Sequence, residues 1–270
     1  MTDQLAAAAP EDGAVLQNVA VRPAWIHLFL DTPVAGYVEA VEFWAAVTGC
    51  EVSPARGEND QFVTLLPAHG HPWLKLQSIA GPEASMHLDV DSADCPAAVQ
   101  ESRELGASDA WTYHDVAVMR SPGGLLFCHT VTDESDRPWM ERGGLDVVAD
   151  QICLDVPARK WEAEVDFWRR LTGRHLERGL RPEFALLGDP DPAGPPRILL
   201  QRLGGDAARV TAHLDLAVRD RQGQARRHER LGARRVRDFE RWTVMRAPSG
   251  HTYCLTDRDP RTGRVHRGRS

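Results

Sequence analysis

His27-Leu28-Phe29-Leu30-Asp31-Thr32-Pro33 returns in outline as Gln151-Ile152-Cys153-Leu154-Asp155-Val156-Pro157, 124 positions further along the chain. Phe43-Trp44 followed by Thr48-Gly49 returns at the same offset as Phe167-Trp168 followed by Thr172-Gly173, and Gln77 returns as Gln201. From there the offset becomes 126. His87-Leu88-Asp89 matches His213-Leu214-Asp215, and Leu105-Gly106-Ala107 matches Leu231-Gly232-Ala233. Val118-Met119-Arg120 matches Val244-Met245-Arg246, Pro122 matches Pro248, and Cys128 matches Cys254. An offset that steps once, by two, describes a duplicated unit with one short insertion.

Each copy has the same coarse reading. The apolar run 24–30 is a strand. A helix follows, with Val38, Val41, Phe43, Trp44 and Val47 at helical spacing, and Gly49 stops it. The short alternating runs 62–66 and 73–77 are strands. A second strand opens at His87, a helix covers about residues 96–105 and stops at Gly106, and strands 116–119 and 125–130 close the unit around the turn at Pro122-Gly123-Gly124. The second copy gives strand 151–155, helix 161–171 and strands 184–187 and 197–201. Strand 213–218, helix 222–231 and strands 241–245 and 252–256 complete it. The expected pattern is β-α-β-β-β twice per copy, four times in all. The expected segments are a tail over 1–17, a first domain over 18–132, a linker over 133–145, a second domain over 146–257 and a basic tail over 258–270.

The chain has 270 residues, of which 42% are hydrophobic and 26% charged, with a formal net charge of −7. These fractions fit a folded globular protein and exclude a collagen-like or disordered one. Residues 1–145 carry 7 basic and 21 acidic side chains, and residues 146–270 carry 25 and 18, so the halves differ in sign. An overall acidic balance argues against a general nucleic-acid binder. No apolar run reaches membrane-spanning length and no signal peptide is read, so the expected location is cytoplasmic. The five cysteines, Cys50, Cys95, Cys128, Cys153 and Cys254, form no CxxC pair. They suit neither a disulfide framework nor a thiolate zinc site, and Cys128 and Cys254 are expected as buried, inert thiols. No GxSxG, HExxH or phosphate-loop motif occurs, so no nucleotide cofactor is expected.

The Asp-x-Pro strand, the Phe-Trp helix with its terminal Gly, the His-Leu-Asp strand, the Leu-Gly-Ala helix end and the Pro turn together resemble the glyoxalase-like domains of the vicinal oxygen chelate superfamily. That group includes glyoxalase I, the bleomycin-resistance proteins and the extradiol dioxygenases. The resemblance covers about residues 22–257. It implies an α+β fold of two tandem domains, each a pair of βαβββ modules forming a cupped mixed sheet. It also implies a small-molecule ligand on the concave side and, in catalytic members, a divalent metal there.

By resemblance the metal positions are His27, Gln77, His87 and Leu126 in the first copy, and Gln151, Gln201, His213 and Thr252 in the second. The carboxylate usual on the last strand is missing from both, so classical glyoxalase I and extradiol activities are not expected. His27, Gln77 and His87 are the expected ligands for Zn, Ni, Mn or Fe. The expected ligand-binding walls are Trp25, His27, Trp73, Met119, Gln151, Gln201, His213 and Trp242. Trp25 alternates with His27 and so shares its face, whereas Arg120 and Arg246 are expected on the side opposite the paired Met. His69, His71, His114 and His129 are further candidates that nothing in the spacing favours. No catalytic residue is assigned. Two main readings stay open, beside a third in which the chain is a regulatory or scaffold module with a degenerate pocket and a partner surface on its basic second half. One is a metal-dependent lyase, isomerase or dioxygenase acting on a small oxygenated molecule in the first cup. The other is a metal-free binding protein of the drug-sequestering, bleomycin-resistance type. Either a monomer or a homodimer is compatible, because the duplication supplies within one chain what a shorter relative builds by pairing.

Overall fold

The computed structural model describes residues 25–68, 71–131, 146–179, 181–188, 196–205 and 207–265. The expected tail over 1–17, the linker over 133–145, and His69 lie outside them.

The first copy contains β1 (Trp25–Pro33), α1 (Tyr37–Thr48), β2 (Glu51–Val52), β3 (Phe62–Leu66) and β4 (Leu74–Ile79). It continues with β5 (Ser85–Ser92), α2 (Cys95–Glu104), β6 (Ser108–Tyr113), β7 (Val116–Arg120) and β8 (Leu126–Val131). The second copy contains β9 (Val147–Pro157), α3 (Trp161–Thr172), β10 (Leu176–Arg178), β11 (Phe184–Leu187) and β12 (Arg197–Leu203). It ends with β13 (Thr211–Val218), α4 (Arg221–Arg230), β14 (Arg234–Asp238), β15 (Trp242–Arg246) and β16 (Thr252–Thr256). Each copy forms one eight-stranded mixed sheet, in the orders β2-β3-β4-β1-β5-β8-β7-β6 and β10-β11-β12-β9-β13-β16-β15-β14. The fold is thus α+β, with two βαβββ modules per sheet. The first strands of the two modules, β1 and β5 or β9 and β13, pair antiparallel at the centre.

Local chemistry explains the element ends. Gly49 and Gly173 cap α1 and α3 in the left-handed region, at φ 70° and 62°, where a side chain would be strained. Asp94 and Asp220 cap α2 and α4 by accepting from the Ala97 and Gly223 amides.

Strand alternation sorts the side chains. Ile26, Leu28, Leu30, Leu76, Leu88 and Phe127 point to the helices and are fully buried. The helices join the two sheets. On α1, Trp44 packs edge-on to Tyr253 of β16 at 5.1 Å. On α3, Trp168 packs on Phe127 of β8 at 5.6 Å. Each copy therefore covers its partner's sheet, and the apolar core runs through both without a break. Glu164 sits fully buried at this junction. It accepts from the Gly123 amide at 2.7 Å and from the Trp168 indole at 2.8 Å. Burial pushes its carboxyl above the usual range, against those two donors and Lys160.

Residues 258–265, expected as part of a tail, fold back on the second sheet. Arg258 Nε lies 2.7 Å from Asp150 Oδ2, and Arg197 reaches both that oxygen at 2.6 Å and the Gly263 carbonyl at 3.1 Å. Among the described residues, no helix is long and apolar enough to cross a membrane.

Candidate functional site

The other face of each sheet is concave. In the first copy, Gln61 before β3 donates to the Tyr113 hydroxyl at the end of β6, 3.2 Å away, although five strands lie between β3 and β6. In the second, Phe184 of β11 meets Trp242 of β15 edge-on at 5.9 Å. Only a strongly curled sheet brings such distant strands together. The first mouth is bridged by polar, exposed groups. The second is filled by aromatic ones, because Phe239 stacks on Trp242 at 4.5 Å and Arg181 covers the same ring at 5.7 Å.

The concave face of the first copy carries Trp25, His27, Phe29 and Asp31 on β1, opposite Asp91, Asp89, His87 and Ser85 on β5. Cys128 on β8 faces Asp89 from the other side. His87 is the hub. Its Nδ1 lies 2.9 Å from Asp31 Oδ2, its Nε2 lies 3.5 Å from Asp89 Oδ1, and its ring stacks on Phe29 at 4.8 Å. Burial opposes its protonation, but Asp31 and Asp89 outweigh burial and hold the imidazole up at about 10. Donor atoms of His87, Asp89 and Cys128 all lie within 4.8 Å of one another. Burial is also the main force pushing the Cys128 thiol up, so without a bound cation it stays protonated.

The second copy repeats the hub. His213 Nδ1 lies 2.7 Å from Asp155 Oδ2 and Nε2 lies 3.3 Å from Asp215 Oδ1. Burial opposes the His213 cation, yet the groups around it, Cys153 and Asp155 first, hold its pKa well above the ordinary value. Here Cys153 stands where the first copy has Phe29 and groups with His213 and Asp215, while Cys254 faces Asp215 as Cys128 faces Asp89.

The other expected residues fall as follows. His27 shares the concave face with Trp25, as alternation requires. It stands opposite Asp89, places Nε2 at 3.3 Å from Asp91, and has its Nδ1 buried without a partner. Gln77 is not brought against His87. It is level with Asp31, and β1 separates its strand from β5, a span of about 10 Å at ordinary strand spacing. Trp73 is buried just before β4, and Trp25 packs edge-on to His71 at 4.6 Å. Met119 is fully buried on the helix side, opposite Phe127, so it does not line the cup. Arg120 takes the concave side instead, level with Leu126. The alternation along β7 is as expected, but the faces are exchanged, because Val118 must pair with concave Cys128. In the second copy, Gln151 donates to Asp215 at 2.7 Å, the Cys153 thiol donates to Gln201 at 3.9 Å, and Trp242 forms part of the aromatic plug.

A cavity of about 380 Å³ lies at the seam between the copies, a size that suits a small ligand. Ser85 and Leu126 line it from the first copy. Asp155, Thr211, His213 and Thr252 line it from the second, with Arg209 and Arg246 beside them. His251 closes its first-copy side, with Nε2 at 3.1 Å from the carbonyl oxygens of both Asp31 and Ser85. The matching residue in the first copy is Leu125, so only the Asp155–His213 end opens to the cavity.

Comparisons with known proteins agree with this architecture. The profile of a family described as glyoxalase-like domain matches residues 27–130 and again 151–256. A comparison with curated proteins finds no match. Among solved structures, the chain resembles the Mn(II)-bound glyoxalase from Novosphingobium aromaticivorans at 15% identity, with a TM-score of 0.63 over 87% of this chain and 82% of that one. It also resembles the 2,2',3-trihydroxybiphenyl 1,2-dioxygenase of Sphingomonas wittichii at 16% identity, with a TM-score of 0.55 over 87% and 90% of the two chains. An extradiol ring-cleaving dioxygenase from B. fuscum matches at 16% identity, with a TM-score of 0.57 over 93% of this chain and 76% of that one. Identities this low carry the fold and nothing finer. The chain belongs to the glyoxalase-like domain family of the vicinal oxygen chelate superfamily, with two copies of the domain in tandem.

Proposed function

We propose that this protein binds a small oxygenated molecule on the concave face of its first sheet, beside a divalent metal held by His87, Asp89 and Cys128. The observation that supports this is the oriented imidazole. Asp31 fixes Nδ1, which leaves Nε2 directed at a carboxylate and a thiol whose donor atoms lie within 4.8 Å. A carboxylate behind a ligating histidine is the ordinary way a protein sets the ring and raises its basicity. Asp89 also supplies the negative charge that Leu126 cannot. It sits two residues beyond His87 on the same strand face, so the family's last-strand carboxylate is replaced from within β5. Three protein ligands leave a position for a substrate oxygen, and a bound ion would polarise that oxygen as a Lewis acid. The side chains of His87 and Asp89 keep 12% and 14% of their surface exposed, so a ligand can reach them. Trp25 and Phe29 supply the apolar wall. The lyase, isomerase and dioxygenase classes all remain within this reading. Five unpaired cysteines suit the reducing cytoplasm that the proposal assumes.

The test is metal titration of the chelator-treated full chain, followed by calorimetry. The expected result is that His87→Ala and Asp89→Ala each lose at least tenfold in affinity for one site, while Gln77→Ala does not. Equal loss in Gln77→Ala and none in Asp89→Ala would contradict the assignment.

The seam cavity favours a second, metal-free reading. Arg209 and Arg246, with the hydroxyls of Ser85, Thr211 and Thr252, offer donors to an oxygen-rich anion without any ion. Anion binding by the chelated protein that Arg209→Glu and Arg246→Glu abolish, with no metal uptake, would favour it.

A further inference from the structure

We infer that the second copy carries a separate metal site, four-ligand and rich in sulfur, in which Cys153, Cys254, His213 and Asp215 hold a zinc-class divalent ion in a structural role. The argument starts from three neighbouring strands. β13 is central and presents His213 and Asp215 on the concave face. Cys153 of β9 stands opposite His213, and Cys254 of β16 stands opposite Asp215. The four side chains form a diamond on one face. Donor atoms of Cys153, His213 and Asp215 lie within 4.8 Å of one another, and Cys254 Sγ is 3.5 Å from His213 Nε2. Ligands of a tetrahedral zinc stand roughly 3.5 Å apart, given bonds of about 2.0–2.3 Å. Cys153, His213 and Asp215 would draw in to that spacing, and Cys254, beside His213 but outside the three-residue group, would swing in to complete the shell.

Independent observations point into the same place. Asp215 Oδ1 is buried and makes no hydrogen bond, although His213 Nε2 is 3.3 Å away. Gln151, 1% exposed, leaves its Oε1 without a partner while its amide nitrogen holds the other Asp215 oxygen. A buried carboxylate oxygen and a buried amide oxygen without donors are costly unless something electropositive completes them. Asp155 behind His213 Nδ1 repeats the orienting carboxylate of the first copy. A disulfide is not the alternative. Cys153 and Cys254 stand on strands separated by β13, about 10 Å apart at ordinary spacing, beyond disulfide reach.

The contrast between the copies assigns the role. The first has Phe29 where the second has Cys153, so its shell stops at three ligands and stays open. The second offers four ligands, and the Phe184–Trp242 plug covers the mouth of its cup, so His213 is open only on the side of the seam cavity. Closed four-ligand shells with thiolates are structural, whereas open three-ligand ones leave room for substrate. An ion here would clamp β9, β13 and β16 without taking part in turnover, and the inference stands whether or not the first copy binds metal.

The experiment is cobalt(II) titration of the reduced, metal-free full chain, read by the thiolate-to-cobalt charge-transfer band. In the His87→Ala background one equivalent should still bind with the band of a two-thiolate site. In that background, Cys153→Ser and Cys254→Ser should each cut the band by about half. A His87→Ala protein with no thiolate band, or a band unchanged by Cys153→Ser, would overturn the site. A second measurement that does not depend on folding of the serine variants maps alkylation of the wild-type thiols by mass spectrometry with and without zinc. Protection of Cys153 and Cys254 by at least tenfold is expected, and equal alkylation rates would overturn the inference.

Discussion

Trp168→Ala should cost about 3–5 kcal/mol of folding stability in denaturant unfolding, the range for emptying a buried indole site. Trp168 is fully buried, packs on Phe127 at 5.6 Å and Phe167 at 5.1 Å, and bridges a helix of one copy to the sheet of the other. Its deletion opens a cavity in the part of the core that the copies share, so both should melt together. The duplicated partner, Trp44, provides an internal comparison. It is equally buried, but its indole N–H has no hydrogen-bond partner, whereas that of Trp168 donates to Glu164 at 2.8 Å. Trp168→Phe removes a donor from a buried carboxyl, and Trp44→Phe removes only an unsatisfied one. The former should be the more destabilising by about 1–3 kcal/mol. Equal costs would mean that the Glu164 contact contributes little.

Acid should weaken the fold well before the carboxylates titrate. His228, fully buried on α4, has its pKa lowered to about 4, mainly by burial and secondarily by Arg227. Its Nδ1 lies 3.0 Å from the Tyr253 hydroxyl, and burial pushes that phenol up, so Tyr253 stays protonated and donates to the neutral ring. The unfolded chain takes up the proton near pH 6.5 and the folded chain only near pH 4. The contribution is therefore fully present above about pH 6.5, falls between there and about pH 4, and is level below that. A separation of about 2.5 pH units corresponds to roughly 3 kcal/mol at most. Denaturant midpoints across this window measure it, and His228→Gln should flatten that part of the profile. An unchanged slope in the variant would place the acid sensitivity elsewhere, His129 being the next candidate because burial lowers it to about 4 as well.

The repeat made the fold legible. Matching glycines at 49 and 173 stop two helices, and β5 alternates apolar and polar residues because helices cover one of its faces. The outer strands were harder. β6 and β14 lie at sheet edges and are largely exposed, and each contains a register shift where it pairs with its neighbour. With no buried face they leave no period of two to read. The site was half legible. His87 and His213 stand out in the His-Leu-Asp strand, but their companions do not. Asp89 and Asp215 belong to the same triplet, and two-residue spacing alone places each on its histidine's face. Cys128 and Cys254 were visible as a duplicated pair, yet buried cysteines are usually inert, so only strand register reveals that each faces an aspartate. The exchange of Met119 and Arg120 has the same origin, since alternation gives the period and pairing gives the phase.

The most direct test of the first-copy site is anomalous scattering from crystals of the full chain grown with manganese or zinc, collected at the metal edge. A peak bonded to His87 Nε2, Asp89 and the Cys128 sulfur, with Asp31 still behind Nδ1, is the result expected. A peak between His27 and Gln77 that leaves Asp89 and Cys128 unbound would contradict the account, and so would a concave face that stays empty in the first copy at saturating metal.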